Sequence, residues 1–148
     1  MNPKREELME EVLARAWLVT GMSLVLRNPK EEPDVNNFPC AQIFELEDTV
    51  EDSTKRGKLF VYKRKLNFVI ESFILATTEG AASSELTSFI GLLKKEIYRG
   101  GPDLGGRQCL IWETGSSQVL RPPVDVNAIG IALNFNMRYV EVVENLYN

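Results

Sequence analysis

The chain has 148 residues, 44% of them hydrophobic and 26% charged, the composition of one globular domain spanning residues 1–148 around one core. A formal net charge of −4 argues against a protein that grips nucleic acid through a basic face. The chain has no histidine, which removes the commonest general base, the commonest zinc ligand and the usual partner of a Ser or Cys nucleophile.

Asn2-Pro3 predicts an N-cap with proline at the first helical position, followed by Glu6 and Glu7 at the positive end of the dipole. In the helix, Leu8, Val12, Ala16 and Val19 form one line with Met9, Leu13 and Trp17 beside it, and Gly21 is the stop. Met22 to Leu26 reads as a short strand. Asn28-Pro29, Glu31-Glu32-Pro33 and Phe38-Pro39 then make an extended surface loop. Cys40 to Leu46 reads as a second strand running out into Glu47, Asp48, Glu51 and Asp52. Residues 51–58, Glu-Asp-Ser-Thr-Lys-Arg-Gly-Lys, are expected to be the exposed, mobile connection between two antiparallel strands.

Leu59 to Leu75 predicts a long strand, with Leu66, Phe68, Ile70 and Ile74 on one face and Val69, Phe73 and Leu75 on the other. Apolar residues on both faces imply that part of it is covered twice, by its own helices and by another subunit. A second helix follows, with Ser83 and Ser84 as caps, Leu86, Phe89, Ile90, Leu93 and Ile97 at spacings of three and four, and Gly100-Gly101-Pro102 at its end. Beyond it come a glycine-rich loop through Gly106, a strand around Cys109 to Trp112, a turn at residues 114–117, Val119-Leu120 and Arg121-Pro122-Pro123. In the closing strand Ile129, Ile131, Leu133, Phe135, Met137 and Tyr139 alternate with Gly130, Ala132, Asn134, Asn136 and Arg138, one apolar ridge and one small, polar face. These elements predict an α+β fold, a mixed and mainly antiparallel sheet packed by two α-helices, with long projecting strands. No apolar run of about twenty residues and no signal-like start is present, so a soluble chain outside the membrane is expected.

Candidate sites are sparse. The glycines of residues 100–107 could cradle a phosphate, but they follow a helix and lack the Gly-Lys-Ser/Thr of a P-loop, so a helix stop is favoured. Glu45, Glu47 and Asp48, with Glu71 and a lysine such as Lys63, would be the set of a small metal-dependent hydrolase. With no His among them, a solvated strand face is the preferred reading, and neither a metal, a cofactor nor an enzymatic activity is expected. Lys55, Arg56, Lys58, Lys63, Arg64 and Lys65 form the one basic concentration. Cys40 and Cys109 read as buried thiols and Trp17 and Trp112 as core.

The order of elements, with Asn28-Pro29 and Phe38-Pro39 in the proline-rich loop and a closing strand of the type Ile131-Ala132-Leu133-Asn134-Phe135-Asn136-Met137-Arg138-Tyr139, resembles the tail-terminator proteins of long-tailed bacteriophages over almost the whole chain. The resemblance implies a virion protein, assembled in the host cytoplasm, whose six copies close into a ring. Such a ring caps the tail tube, ends its polymerisation and meets the head connector, while genomic DNA passes through its lumen without sequence-specific binding. Six copies would carry about −24 (six times −4), a charge that disfavours phosphate binding. The partner surfaces then fall on the two charged loops, at Glu51, Asp52, Lys55, Arg56 and Lys58 and at Glu31, Glu32 and Asp34. Alternatives are a head-to-tail neck protein of the same fold, the small hydrolase, and an adaptor that binds a peptide by strand addition.

Overall fold

The computed structural model describes residues 3–117, 119–122 and 127–144. Among these residues five strands, β1 (Leu24–Arg27), β2 (Cys40–Arg56), β3 (Leu59–Leu75), β4 (Cys109–Ser116) and β5 (Ala128–Glu144), form one sheet in the order β1-β2-β3-β5-β4. Only β1 and β2 are parallel; every other neighbouring pair is antiparallel. Helices α1 (Lys4–Trp17) and α2 (Ala82–Ile97) complete the α+β fold predicted from the sequence. Neither is long and apolar enough to cross a membrane.

The period-2 pattern works as read. Leu66, Phe68 and Ile70 of β3 stand opposite Met137, Phe135 and Leu133 of β5, and all six are buried. Phe68 and Phe135 stack with their centroids 5.3 Å apart. Leu8, Met9, Val12 and Ala16 of α1 and Leu86, Phe89, Leu93 and Ile97 of α2 close the same core. On the opposite face Phe73 is also buried, because Phe38 of the proline-rich loop stacks on it at 5.7 Å. The cover there is the chain's own loop.

Phe73 lies across Gly130, its cross-strand partner. A Cβ at that glycine would fall 2.4 Å from Phe73 Cδ1 and 2.7 Å from the Ser72 carbonyl oxygen. Gly130→Ala should therefore cost about 1–3 kcal/mol by displacing a buried ring, read as a lower urea midpoint with an unchanged slope.

Several elements differ from the sequence reading. Pro3 occupies the N-cap position of α1 and makes no side-chain cap, while Asn2 lies outside the described residues. Trp17 ends the helix nearly half exposed, at 46%, because the buried face turns past it to Arg15, Ala16 and Val19. Trp112 is half-buried on the sheet's outer face under the Arg138 guanidinium, 5.2 Å away. Ser83 and Ser84 sit inside the first turn of α2. The work there is done from the flank, by Thr78 Oγ1 accepting from Ala81 N at 3.1 Å and Glu85 accepting from Thr77 N at 3.0 Å. Residues 114–116 continue β4 through a bulge, and Leu120 pairs with Gly130. Residues 51–56 are strand as well, so the connection to β3 is only Gly57-Lys58. Gly57 takes φ +60°, as a two-residue hairpin turn requires.

The glycine-rich segment is the helix stop. Four of its glycines have positive φ, folding the loop around the fully buried Leu104. The loop also closes over Arg15. That residue is 5% exposed; its guanidinium donates to the carbonyls of Glu96 (3.2 Å), Ile97 (3.1 Å) and Arg99, and to Glu11 at 2.9 Å. A cation from α1 thereby satisfies the orphan carbonyls and the negative end of α2.

Candidate functional site: a projecting arm on a charged base

β3 and β5 pair without a register shift from Leu75↔Ala128 to Leu59↔Glu144, 17 residues each, or roughly 55 Å at about 3.3 Å per residue. The helices cover only one end of this length. β1 pairs with β2 only as far as Ile43, and β4 with β5 only as far as Tyr139. Beyond those points β2, β3 and β5 continue as a three-stranded arm.

An ionic network marks the base of the arm. Arg27 grips Glu45 with both Nε (2.8 Å) and Nη2 (2.9 Å) and reaches Glu6 at 2.7 Å. Arg5 bridges Glu45 (3.1 Å) and Asp48 (3.2 Å). Tyr139 donates its hydroxyl to Asp48 at 2.6 Å, and Arg64 donates to Glu141 at 3.0 Å. The Arg64–Asp48 ion pair at 3.6 Å joins these into one connected set of charges that ties α1, β1, β2, β3 and β5 where the arm leaves the core. Charge-assisted, bidentate geometry of this kind fixes direction as well as energy.

Burial raises the Glu45 pKa, but hydrogen bonds from Arg27, Asn28 and Arg5 outweigh it and bring the group down to about 2. Burial and the hydrogen bond to Asp48 push the Tyr139 hydroxyl up. A carboxylate depressed in the folded state contributes stability that is present above its unfolded pKa and lost as the proton returns. For Glu45 that window runs from about 4.5 down to about 2. The melting temperature should fall through this range, and Glu45→Gln should flatten that part of the profile; parallel profiles would show that Glu45 is not the group responsible.

The hydrolase set does not assemble. Glu45 is saturated by arginines, Glu47 is exposed within a bulge of β2, and Glu71, opposite Gln42, lies on the other face from Glu45. Lys63 is opposite Asp52, also on that other face. Among the described residues no group of three or more His, Cys, Asp or Glu side chains could hold a metal ion. Cys40 is buried and Cys109 half-buried; both are free thiols, and burial pushes each up to about 11.

The residues proposed from sequence as partner contacts separate into two groups. Lys55, Arg56 and Lys58 are exposed at the arm tip, Lys55 with its ammonium 5.7 Å from the Phe60 ring. Glu51 and Asp52 are exposed on the arm, but Glu51 is held by Arg138 at 2.8 and 3.1 Å. Glu31, Glu32 and Asp34 are exposed near the strand roots, where Asp34 accepts from Asn36 N at 3.0 Å in the short 3-10 turn Val35–Asn37. About 16 strand steps along β2, roughly 50 Å, part tip and root. The sequence reading missed the apolar residues of the arm. Val50, Leu59, Val140, Val142 and Val143 are 41–57% exposed, more apolar surface than an isolated three-stranded ribbon should present to water. Val140-Glu141-Val142-Val143 was their signal, continuing the last strand past the ridge.

No protein-family model matches the chain, and no curated protein matches its sequence. Among solved structures the chain is similar to one described as "Virion of native gene transfer agent (GTA) particle", at 12% identity and a TM-score of 0.37, covering 94% of this chain and 92% of that one.

Proposed function

We propose that the chain is a structural subunit of a phage-like virion and that its copies close into a ring, six in the reading adopted here. This ring caps the tail tube, ends its polymerisation and joins it to the head connector. The observation that supports the reading is the arm: three strands carried far beyond the core, with exposed valines and charged ends, are suited to contacts between subunits rather than to catalysis. Tip and root charges at opposite ends of the strands suit a ring with two different rims. Light scattering and negative-stain images of the purified protein, alone and with a tail tube protein, test this. Rings that sit on tube ends are the expected result; a monomer that ignores the tube overturns it.

The tip charges provide a second test. Lys55→Glu, Arg56→Glu and Lys58→Glu together should leave stability within about 0.5 kcal/mol, since the sites are solvated, yet abolish association, because charge complementarity governs docking and register. Assembly at the unmodified rate would remove the tip from the contact.

A further inference from the structure

We infer that copies of this chain join edge to edge, the free edge of β5 at Val140–Glu144 pairing in parallel with the free edge of β2 at Ser53–Lys55 of the next copy. This rests on the ring reading and specifies its contact. The backbone carries the inference. Gly130 exchanges both its N–H and its C=O with Leu120, and the Ala132 carbonyl accepts from Ser117, so even-numbered residues of β5 turn these groups away from β3. Antiparallel alternation and the unbroken register extend this to Val140, Val142 and Glu144. The β4 ladder stops at Cys109↔Tyr139, because Gln108, at φ +57°, turns the chain away. Among the described residues, a hollow of about 570 Å³ separates this edge from Pro3, Lys4 and Glu7 of the N-terminal segment.

The alternation followed across β3 leaves Ser53 and Lys55 as residues of β2 with outward backbone groups, the Ser53 N–H donating to the neighbouring Asp52 carboxylate at 2.9 Å. Thr54 and Val142 both stand opposite Val61, and therefore lie at one level on one face. Setting a second copy beside the first at this level places Val142 against Thr54, flanked by Ser53 and Lys55. A residue with outward groups that bonds to the two neighbours of its opposite number is the parallel ladder pattern. Charges agree with this register. Arg56 and Glu144 both stand opposite Leu59, so they become neighbours across the contact, while Glu141, level with Ser53, lies diagonal to Lys55. The competing pairing, β5 against β5 about a twofold axis, gathers Glu141 and Glu144 from both copies; Arg64 neutralises Glu141 in each copy, but the Glu144 carboxylates meet no cation between residues 140 and 144. A parallel contact between different edges is heterologous, the type that builds rings.

Cysteines at Thr54 and Val142 test the pairing. Within one molecule these positions are two strand spacings apart, about 9.5 Å, beyond the roughly 7 Å that a disulfide spans between Cα atoms, so oxidation must link different copies. The Thr54→Cys, Val142→Cys double variant should give a reducible ladder of covalent multimers on a denaturing gel, and the two single variants mixed should stop at dimers. Val142→Pro, which removes an outward N–H, should give a monomer with an unchanged circular dichroism spectrum. Efficient dimers from Val142→Cys alone would establish the twofold pairing and overturn the proposal. Rings without the cross-link would overturn the pairing and leave the ring reading standing, whereas a chain monomeric throughout would sink both.

Discussion

Replacing Phe135 by aspartate is expected to leave no soluble folded protein. Phe135 is 1% exposed, stacked on Phe68 and 6.4 Å from the Tyr98 ring, at the point where sheet and helices meet. Among the described residues no cation stacks on its ring, so the new carboxylate would be buried without a partner or would have to stay protonated. Either outcome costs several kcal/mol and also forfeits the ring's packing, against a typical total stability of about 5–15 kcal/mol. Leu133→Asp should behave alike, and expression with centrifugation, then circular dichroism of any soluble fraction, decides the matter. A folded Phe135→Asp protein with the parent melting temperature would mean that the ridge is not core.

Arg15→Ala should be the most damaging loss of a charged residue. Removing the guanidinium leaves three carbonyls at the end of α2 short of a donor, strips Glu11 of one of its two cations and opens a void beneath Gly105. Breaking a buried, multiply bonded ion in this way typically costs about 3–5 kcal/mol, which in a chain of this size lowers the melting temperature by roughly ten degrees. Arg15→Lys should recover only part, because one ammonium cannot span the carbonyls and Glu11 together. Full recovery by lysine would show that charge alone, without the planar fork, holds the two helices.

Arg15 also shows what a sequence conceals. It lies on the apolar line of α1, between Val12 and Val19, and an arginine there with Glu11 four residues before it was the available signal; its partners, carbonyls more than eighty residues away, carry no side-chain identity to read. The ridge of β5 and the long strand β3 were readable because burial on one face imposes alternation. β2 was not, beyond Leu46. Two bulges, between Glu45 and Asp48 and between Val50 and Asp52, shift the period, and an arm solvated on both faces has little apolar pattern to shift. The residues proposed as contacts follow the same logic: charge runs mark the tip, but only the pairing of β3 with β5 shows which backbone groups point outward. The sequence places Glu45 and Asp48 on a solvated strand face, whereas their side chains are only 4% and 12% exposed, because their arginine partners come from α1, β1 and β3.

The unbroken ladder between β3 and β5 makes the reach of the arm a quantised length. Deleting one residue from either strand would turn every side chain beyond that point to the other face of the sheet. Only steps of two, taken in both strands together and matched in β2, preserve the faces, each shortening the arm by about 6.6 Å. Viable length variants of this protein should therefore come in even, coordinated sets, with the two bulges of β2 as the only places where a single residue can be gained or lost.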